Sequence, residues 1–496
     1  MKSGVDCIPR WHLTVDGAEV PSELHLSNIR VRQSLGQPSQ CELTYVVTPA
    51  TARFAPSLGQ RVSLNLGIPP RFLFEGDLTA VEWSAGPSGQ RELRIRAYDD
   101  LHRLRLRQTL GAHVDVSIGD LARALGRGAG LRVADFGSQL KWDRVVNDFP
   151  TDLAFLNYYA RRAGRYAFLD RQSLKFLDLE GQDETIELKY GGSLIEGRME
   201  QNAQPCCGTV RVLSWDPITS RRFVAKASCR EVTGDDIRVL TNQVAASESH
   251  AESIAHASAA ERAAAAKSMW GVARGDTLLS PGRRIRVLGL APKPESFVIS
   301  SVTHLIDGRH GYLSEFNTEP PLPADLTEQV RQTSVTAGQV SDIDDPKKLG
   351  RAQVTMTTFG EVPSSWMPVV QPGAGSRKGL VVMPEVGDQV LVLLVNGDPA
   401  RGVILGGLFG IEGPPQDTNA KSQAGTCRPF SLRTPGGQYF RFNDADESIR
   451  IENSDGSFLS MDPKKVVLHS ATDLVIEAPG RCLTISANTI DFERAT

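Results

Sequence analysis

No window of the chain approaches 18 uninterrupted apolar residues, and the first eleven residues carry one lysine with no apolar segment behind it. Neither a helical membrane span nor a signal peptide is expected. Charge of one sign is also missing: 55 Lys and Arg stand against 58 Asp and Glu, a formal net charge of −3. No global basic field is present to gather nucleic acid or anionic lipid. Cysteine is sparse, with seven residues at 7, 41, 206, 207, 229, 427 and 482 and no Cys-x-x-Cys pair. Adjacent Cys206 and Cys207 do not readily bridge each other. The expectation is free, mostly buried thiols in a reducing compartment and synthesis in the cytoplasm.

The signatures of common active sites are missing as well. His250 and His256 flank Glu252 without the spacing of a zinc helix, so both are expected on a solvated helix surface. His469 has no histidine two residues away with which to ligate a metal. Gly406-Gly407-Leu408-Phe409-Gly410 lacks the Lys-Ser/Thr of a phosphate loop and is expected to be a strand-ending turn. Asp99/Asp100 and Asp344/Asp345 are neighbours at loop positions, which does not aim two carboxylates at one substrate. No catalytic residue, cofactor or metal is assigned.

What is present is punctuation. With 45 Gly and 29 Pro among 496 residues, the chain is expected to be rich in turns and therefore in strands. At roughly 150 residues per domain, about three domains fit. Residues 12–110 read as short strands, among them Val62–Leu66, Phe72–Val81 and Leu93–Arg96. Ser117-x-x-Asp120 then opens a helix with a capping box. Thr151 caps a second helix, which Gly164 ends. Ala-rich sequence over about 245–268 predicts a third.

Residues 275–319 resemble 54–98: Gly59 and Gly282 each stand fifteen residues before a phenylalanine, Phe74 and Phe297, and this offset of 223 is expected to hold through the hairpin. Duplication of a β-barrel is the expectation, and low identity leaves chance similarity as the alternative. Pro320, Pro321 and Pro323 open a polar linker. Short strands between glycine turns, including Gly379–Met383, then suit a small OB-like barrel. That barrel holds six acids and six bases between 345 and 412 with few aromatics, a poor groove for nucleic acid.

The last sixty residues are the most regular. Apolar pairs recur as Phe440/Phe442, Ile449/Ile451, Leu459/Met461, Val466/Leu468, Leu474/Ile476, Leu483/Ile485 and Ile490/Phe492, spaced by seven to ten residues. Strands with two inward residues cannot bury themselves, and seven give only about two coils of a single-chain β-helix. Three chains wound together resolve this, making a needle segment about 30 Å long at roughly 4.8 Å per layer. The alternative is an antiparallel meander packed on the preceding barrel.

The whole arrangement resembles the VgrG-type central spike of contractile injection systems and the hub-plus-spike of contractile phage tails. The motif carrying the likeness is Met383, Pro384, Glu385, Val386, Gly387 and Asp388, continued by Gly397, Asp398, Pro399, Gly402 and Gly406. Asp152–Leu156 with Ala160 and Gly164 resembles the family's hub helix. The resemblance implies a mainly β fold with helical insertions: two similar hub barrels, an OB-like barrel and a C-terminal trimeric β-helix needle. The implied domains are 1–110 and 201–320 (hub barrels), 111–200 (helical insertion), 321–348 (linker), 349–412 (OB-like), 413–437 (connector) and 438–496 (spike). It implies a non-enzymatic homotrimer that adapts a threefold spike to a sixfold inner tube, nucleates tube assembly and pierces a target envelope. Its partners would be inner-tube and tube-initiator proteins, baseplate proteins, effector cargo, a target membrane on firing, and a PAAR-type tip protein docking at Arg494, Ala495 and Thr496. The separation of barrel and needle leaves no room for a lysozyme domain. A β-helical polysaccharide-degrading tail enzyme is the competing class.

Overall fold

A computed structural model describes residues 8–20, 24–48, 54–87, 89–134, 140–205, 207–216, 221–229, 236–241, 245, 247–321, 333–376, 378–410 and 430–493. The chain divides into two compact units, Met1–Gly407 and Leu408–Thr496.

Alternating apolar and polar residues build the first unit's main sheet. Strands β1 (Leu26–Ser34), β2 (Gln37–Val46), β3 (Arg71–Ala85) and β4 (Arg91–Tyr98) come first. Ile29, Val31, Leu43, Tyr45, Leu93 and Ile95 lie at every second position and are buried together. A second set follows: β5 (Leu194–Gln201), β6 (Lys267–Arg274), β7 (Ser301–Asp307) and β8 (Gly311–Asn317). All eight belong to one eleven-stranded sheet, in the order β5-β6-β8-β7-β1-β2-β4-β3. Each set therefore has the same internal order, and the sets join head to tail. The joint is antiparallel, from Ser301 opposite Ser34 to Asp307 opposite Asn28.

One ladder runs through both sets, and each set has its own core: Ile29, Leu43 and Leu93 in the first, Met269, Val302 and Phe316 in the second. The offset of 223 does not hold. It is 224 from Leu78 to Val302 but 219 from Ala97 to Phe316, although these are the matching cross-strand pairs. A bulge between Leu78 and Ala80, absent from β7, and a tighter β7–β8 turn account for the slip. Gly59 and Gly282 do match, with φ of +87° and +84°.

The insertion between β4 and β5 holds helices α1 (Ile118–Ala129) and α2 (Asp152–Arg162). Ser117 and Asp120 form the expected capping box, and the Thr151 hydroxyl accepts from the Ala154 amide. Asp152, fully buried, accepts hydrogen bonds from Arg107 Nε (2.7 Å), the Thr109 amide (2.7 Å) and hydroxyl (2.9 Å), and Asn147 Nδ2 (2.8 Å). The insertion ends before residue 194, because Leu194–Gln201 already belongs to the main sheet. Between β5 and β6 stands a further module rather than barrel strands. Its sheet of Thr209–Asp216, Arg221–Ser228 and Ile237–Leu240 packs under α3 (Glu248–Ala266) around a small core of Ala and Val. Arg161 grips Glu261 with two hydrogen bonds (2.6 and 3.0 Å), and Tyr166 donates to the same carboxylate at 2.7 Å, clasping α2 to α3.

The OB-like sheet begins inside the expected linker. Ser334–Asp342 is central to it, flanked by Arg351–Met356 and Gln389–Leu394, with Gly402–Leu408 at the far side. Gly406 and Gly407 thus continue a strand instead of ending one. Gly379–Met383, expected as a strand, joins no sheet. The Gln371 side chain binds both backbone groups of Val382 (2.8 and 2.9 Å), occupying the positions of a partner strand. At the edge of this sheet Asp345, itself buried, holds Arg351 through two hydrogen bonds (2.5 and 2.9 Å).

In the second unit Phe430–Arg433, Tyr439–Asn443, Ser448–Glu452, Phe458–Met461 and Val466–His469 pair in sequence order as an antiparallel meander. A strand thus starts within the expected connector. The needle expected from 438 onward is an arrangement of three chains; within one chain these strands pair with one another. Turns of four or five residues fold each strand back on its predecessor, which is hairpin geometry. Residues 470–493 join no ladder.

Asp99 and Asp100 are both buried, and their tasks are separate. Asp99 accepts from the Ser39 and Leu101 amides (2.9 and 3.1 Å), while Asp100 pairs with Arg61 and, at 3.2 Å, Arg103. Burial pushes the Asp99 carboxyl up to about 7 against the pull of those amides. A carboxyl raised in the folded state binds more protons there than when unfolded. Its stabilising share is full below about pH 4 and is lost as pH rises through about 7. Denaturant unfolding against pH should show Asp99→Asn losing part of the downward slope across that window; an unchanged slope would exclude this assignment. Separately, Asp152→Ala strands Arg107 and three other donors, and should cost roughly 3–5 kcal/mol in the same measurement.

Candidate assembly surfaces

Two surfaces of the chain are unfinished. The first is a pair of sheet edges. Among the described residues, those of β3 beyond Leu78 pair with β4 on one side and have no second ladder partner, and β5 has a ladder only with β6, with one bridge from Leu194 to Tyr190 at its start. These edges occupy the places that β7 and β1 occupy at the internal joint. The side chains reflect it: Ile306 of β7 is 3% exposed beneath the joint, whereas Trp83, at the matching place in β3, is 53% exposed. A long open edge is a template for another strand.

The second surface is the meander of the C-terminal unit. Leu432, Phe440, Ile451, Leu459 and Leu468 stand opposite one another in one row, and Phe430, Phe442, Ile449, Met461 and Val466 in the next. Ten apolar side chains therefore share one face, including the first eight expected needle-core residues. The face between them carries Ser431, Arg441, Arg450, Ser460 and Val467. None of the described side chains of this unit is buried, and Leu468 is 59% exposed. Beyond the meander Leu474, Ile476, Leu483, Ile485, Ile490 and Phe492 are all exposed. Arg494, Ala495 and Thr496, the expected tip-docking end, lie outside the described residues.

The OB-like motif proves to be turn chemistry. Asp388 Oδ2 accepts from the Glu385 amide at 2.8 Å, and Gly387, at φ +95°, lets the chain turn so that its amide reaches Val340 O at 2.9 Å. Asp398 Oδ1 accepts from the Ala400 amide at 2.9 Å beside Gly397 and Pro399. A Cβ on Gly402 would stand 2.6 Å from the end of the Met367 side chain and 2.8 Å from Val392 Cγ1, so a larger residue there would have to displace buried side chains. Met383, Pro384 and Val386 line the approach to this turn and leave their apolar atoms exposed.

Chemistry is not concentrated at any of these places. Among the described residues no group of three or more His, Cys, Asp or Glu is arranged to hold a metal. His256 is exposed as expected, but His250 is buried, its Nε2 2.6 Å from Lys141 O and its ring stacked on Trp142. The side of α3 facing the insertion takes His250 into the core, which an Ala-rich pattern does not reveal. His469 stacks on Phe458. No helix among the described residues is long and apolar enough to cross a membrane.

Comparison with known proteins matches these features. Residues 336–409 fit the family model described as type VI secretion system/phage-baseplate injector OB domain. The type VI secretion system spike protein VgrG1c of Pseudomonas aeruginosa is 32% identical over 146 residues, which are 28% of this chain and 19% of that protein. The matched region is thus about a fifth of the relative's length. In fold, a chain of the Francisella PdpA–VgrG complex superposes with a TM-score of 0.57 at 11% identity, over 94% of this chain and 89% of the other. The E. coli type VI component c3393, described as similar to the phage tail proteins gp27 and gp5, gives 0.52 at 15%, over 80% and 99%. The fold is similar to that of VgrG-type spike and phage-tail proteins, and the OB-like region carries the injector-domain match. The family model described as Alg8 N-terminal domain takes in residues 6–275, more than half of the chain, and the chain belongs to that family.

An aspartate at a solvated surface position changes stability by about 0.5 kcal/mol or less. If other copies cover its face, Leu468→Asp should instead lower the protease resistance of residues 430–493 severalfold. Unchanged digestion kinetics at working concentration would mean that the face is free.

Proposed function

We propose that the protein is the homotrimeric central spike of a contractile injection device. In this reading it matches a threefold spike to a sixfold inner tube, nucleates that tube and carries force through a target envelope when a sheath contracts. It acts mechanically, without a cofactor. Its partners are its own copies, tube and baseplate proteins and a PAAR-type tip protein, with cargo carried on the device. It is assembled in the bacterial cytoplasm and leaves the cell on release or firing.

The observation that carries this reading is the repeated strand order of the main sheet. Two equal sets in head-to-tail register leave one open edge at each end, and three chains joined by the same contact give six equivalent sets in a ring. Extending the internal joint fixes the register between chains: Leu78 opposite Met199, Val81 opposite Gly197 and Ala80 opposite Arg198. The one-sided apolar sheet of the C-terminal unit supports the same stoichiometry, since a two-row face with no buried side chain needs other copies to cover it.

The test is a cysteine pair on this edge. Ala80→Cys with Arg198→Cys, purified under reduction and then oxidised, should give disulfide-linked dimers and closed trimers on a non-reducing gel. Either single variant should not, and light scattering of the wild type should give a mass near three times 53.9 kDa. A monomer by light scattering with no cross-linked ladder would refute the reading.

A further inference from the structure

We propose that Cys207 and Cys229 form a redox-modification site: a thiol pair that low-molecular-weight disulfides convert into an intramolecular disulfide.

The geometry follows from the strand register of the small module under α3. Thr209 stands opposite Ser228, so the next pair outward is Gly208 and Cys229, joined by the Cys229 amide donating to Gly208 O at 3.1 Å. Val210, Val212, Ala225 and Ala227 face inward beside Cys229, which places position 208 on the same inner face. Position 208 is glycine, so no side chain occupies the space against Cys229. The Cys207 thiol fills it, with the two Sγ atoms 3.7 Å apart. Both residues belong to one core cluster, 6% and 5% exposed, and both are free thiols. A disulfide needs about 2.05 Å between sulfurs, so the 3.7 Å gap is to be closed by rotation of the two side chains, one residue off the paired position.

Reaction proceeds by exchange. One protein thiolate attacks a sulfur of the small disulfide, releasing one thiol and leaving a mixed disulfide on the protein. The second protein thiolate then attacks the protein-side sulfur, and the second small thiol leaves. Two protein thiols are oxidised, one small disulfide is reduced to two thiols, and no other oxidant is needed. Burial, with the hydrogen bond to Cys207, pushes the Cys229 thiol up to about 11. Exchange is therefore slow near neutral pH and speeds up in alkali. The link closes a loop of about twenty residues between strands of a thin, alanine-rich core. It thus fastens the hairpin once the protein leaves a reducing medium.

The experiment treats the full-length protein with excess oxidised glutathione at about pH 8.5, blocks remaining thiols and maps disulfides by mass spectrometry of peptides. A Cys206→Ser variant removes the adjacent thiol that would blur the map. The expected result is a 207–229 link in the wild type and in Cys206→Ser, with amide exchange of Thr209–Asp216 and Arg221–Ser228 slowed at least tenfold. Adducts at Cys207 or Cys229 that never resolve into a link, a bridge to another cysteine, or both thiols left free after prolonged oxidation would each overturn the proposal.

Discussion

A strand that ends a sheet leaves a row of N–H and C=O groups without partners, and the first unit is arranged around where such rows meet. Inside the chain, β7 meets β1, and the meeting buries Ile306 against the core of the first strand set. Everything else in the unit respects that line. The helical insertion lies between β4 and β5, the module under α3 between β5 and β6, and the Arg283–Val298 hairpin between β6 and β7. Each large addition uses a connection and leaves the eight-strand order intact. The OB-like barrel follows the sheet in sequence and is tied back by Arg144 donating to Pro363 O and by Arg401 lying 3.8 Å from Asp216.

The carboxylates that look chemical in the sequence turn out to fix geometry. Asp152 gathers four donors where the insertion closes, Glu261 clasps two helices, Asp345 pins a turn through Arg351, and Asp398 shapes the turn before Gly402. Each is held by several fixed donors rather than left facing a cleft. A carboxylate with three or four partners resists shear in several directions at once.

Local signals were legible where one residue's chemistry decides the outcome. Ser117 with Asp120 and Thr151 mark their helices because capping is a contact within one turn. Period-two alternation likewise identified the apolar rows from Phe440 to Leu468, since it specifies which face a side chain takes. It does not specify which strand lies alongside, so a wound needle and a meander read alike until turn length is weighed. The strand Ser334–Asp342 was hidden by polarity: only Gly338 and Val340 face inward on it as buried positions, so a central strand resembled a linker. Gly379–Met383 erred the other way, with strand-like composition but a glutamine side chain in place of a partner.

The C-terminal meander has a consequence for how the protein fails. A sheet without a buried side chain has no melting temperature set by its own sequence. In the proposed trimer its order would depend on how much protein surrounds it, through the third power of concentration. Dilution would then loosen this unit while the first unit, with its several internal cores, stays folded. The same polypeptide would hold one region whose integrity is intrinsic and one whose integrity is collective.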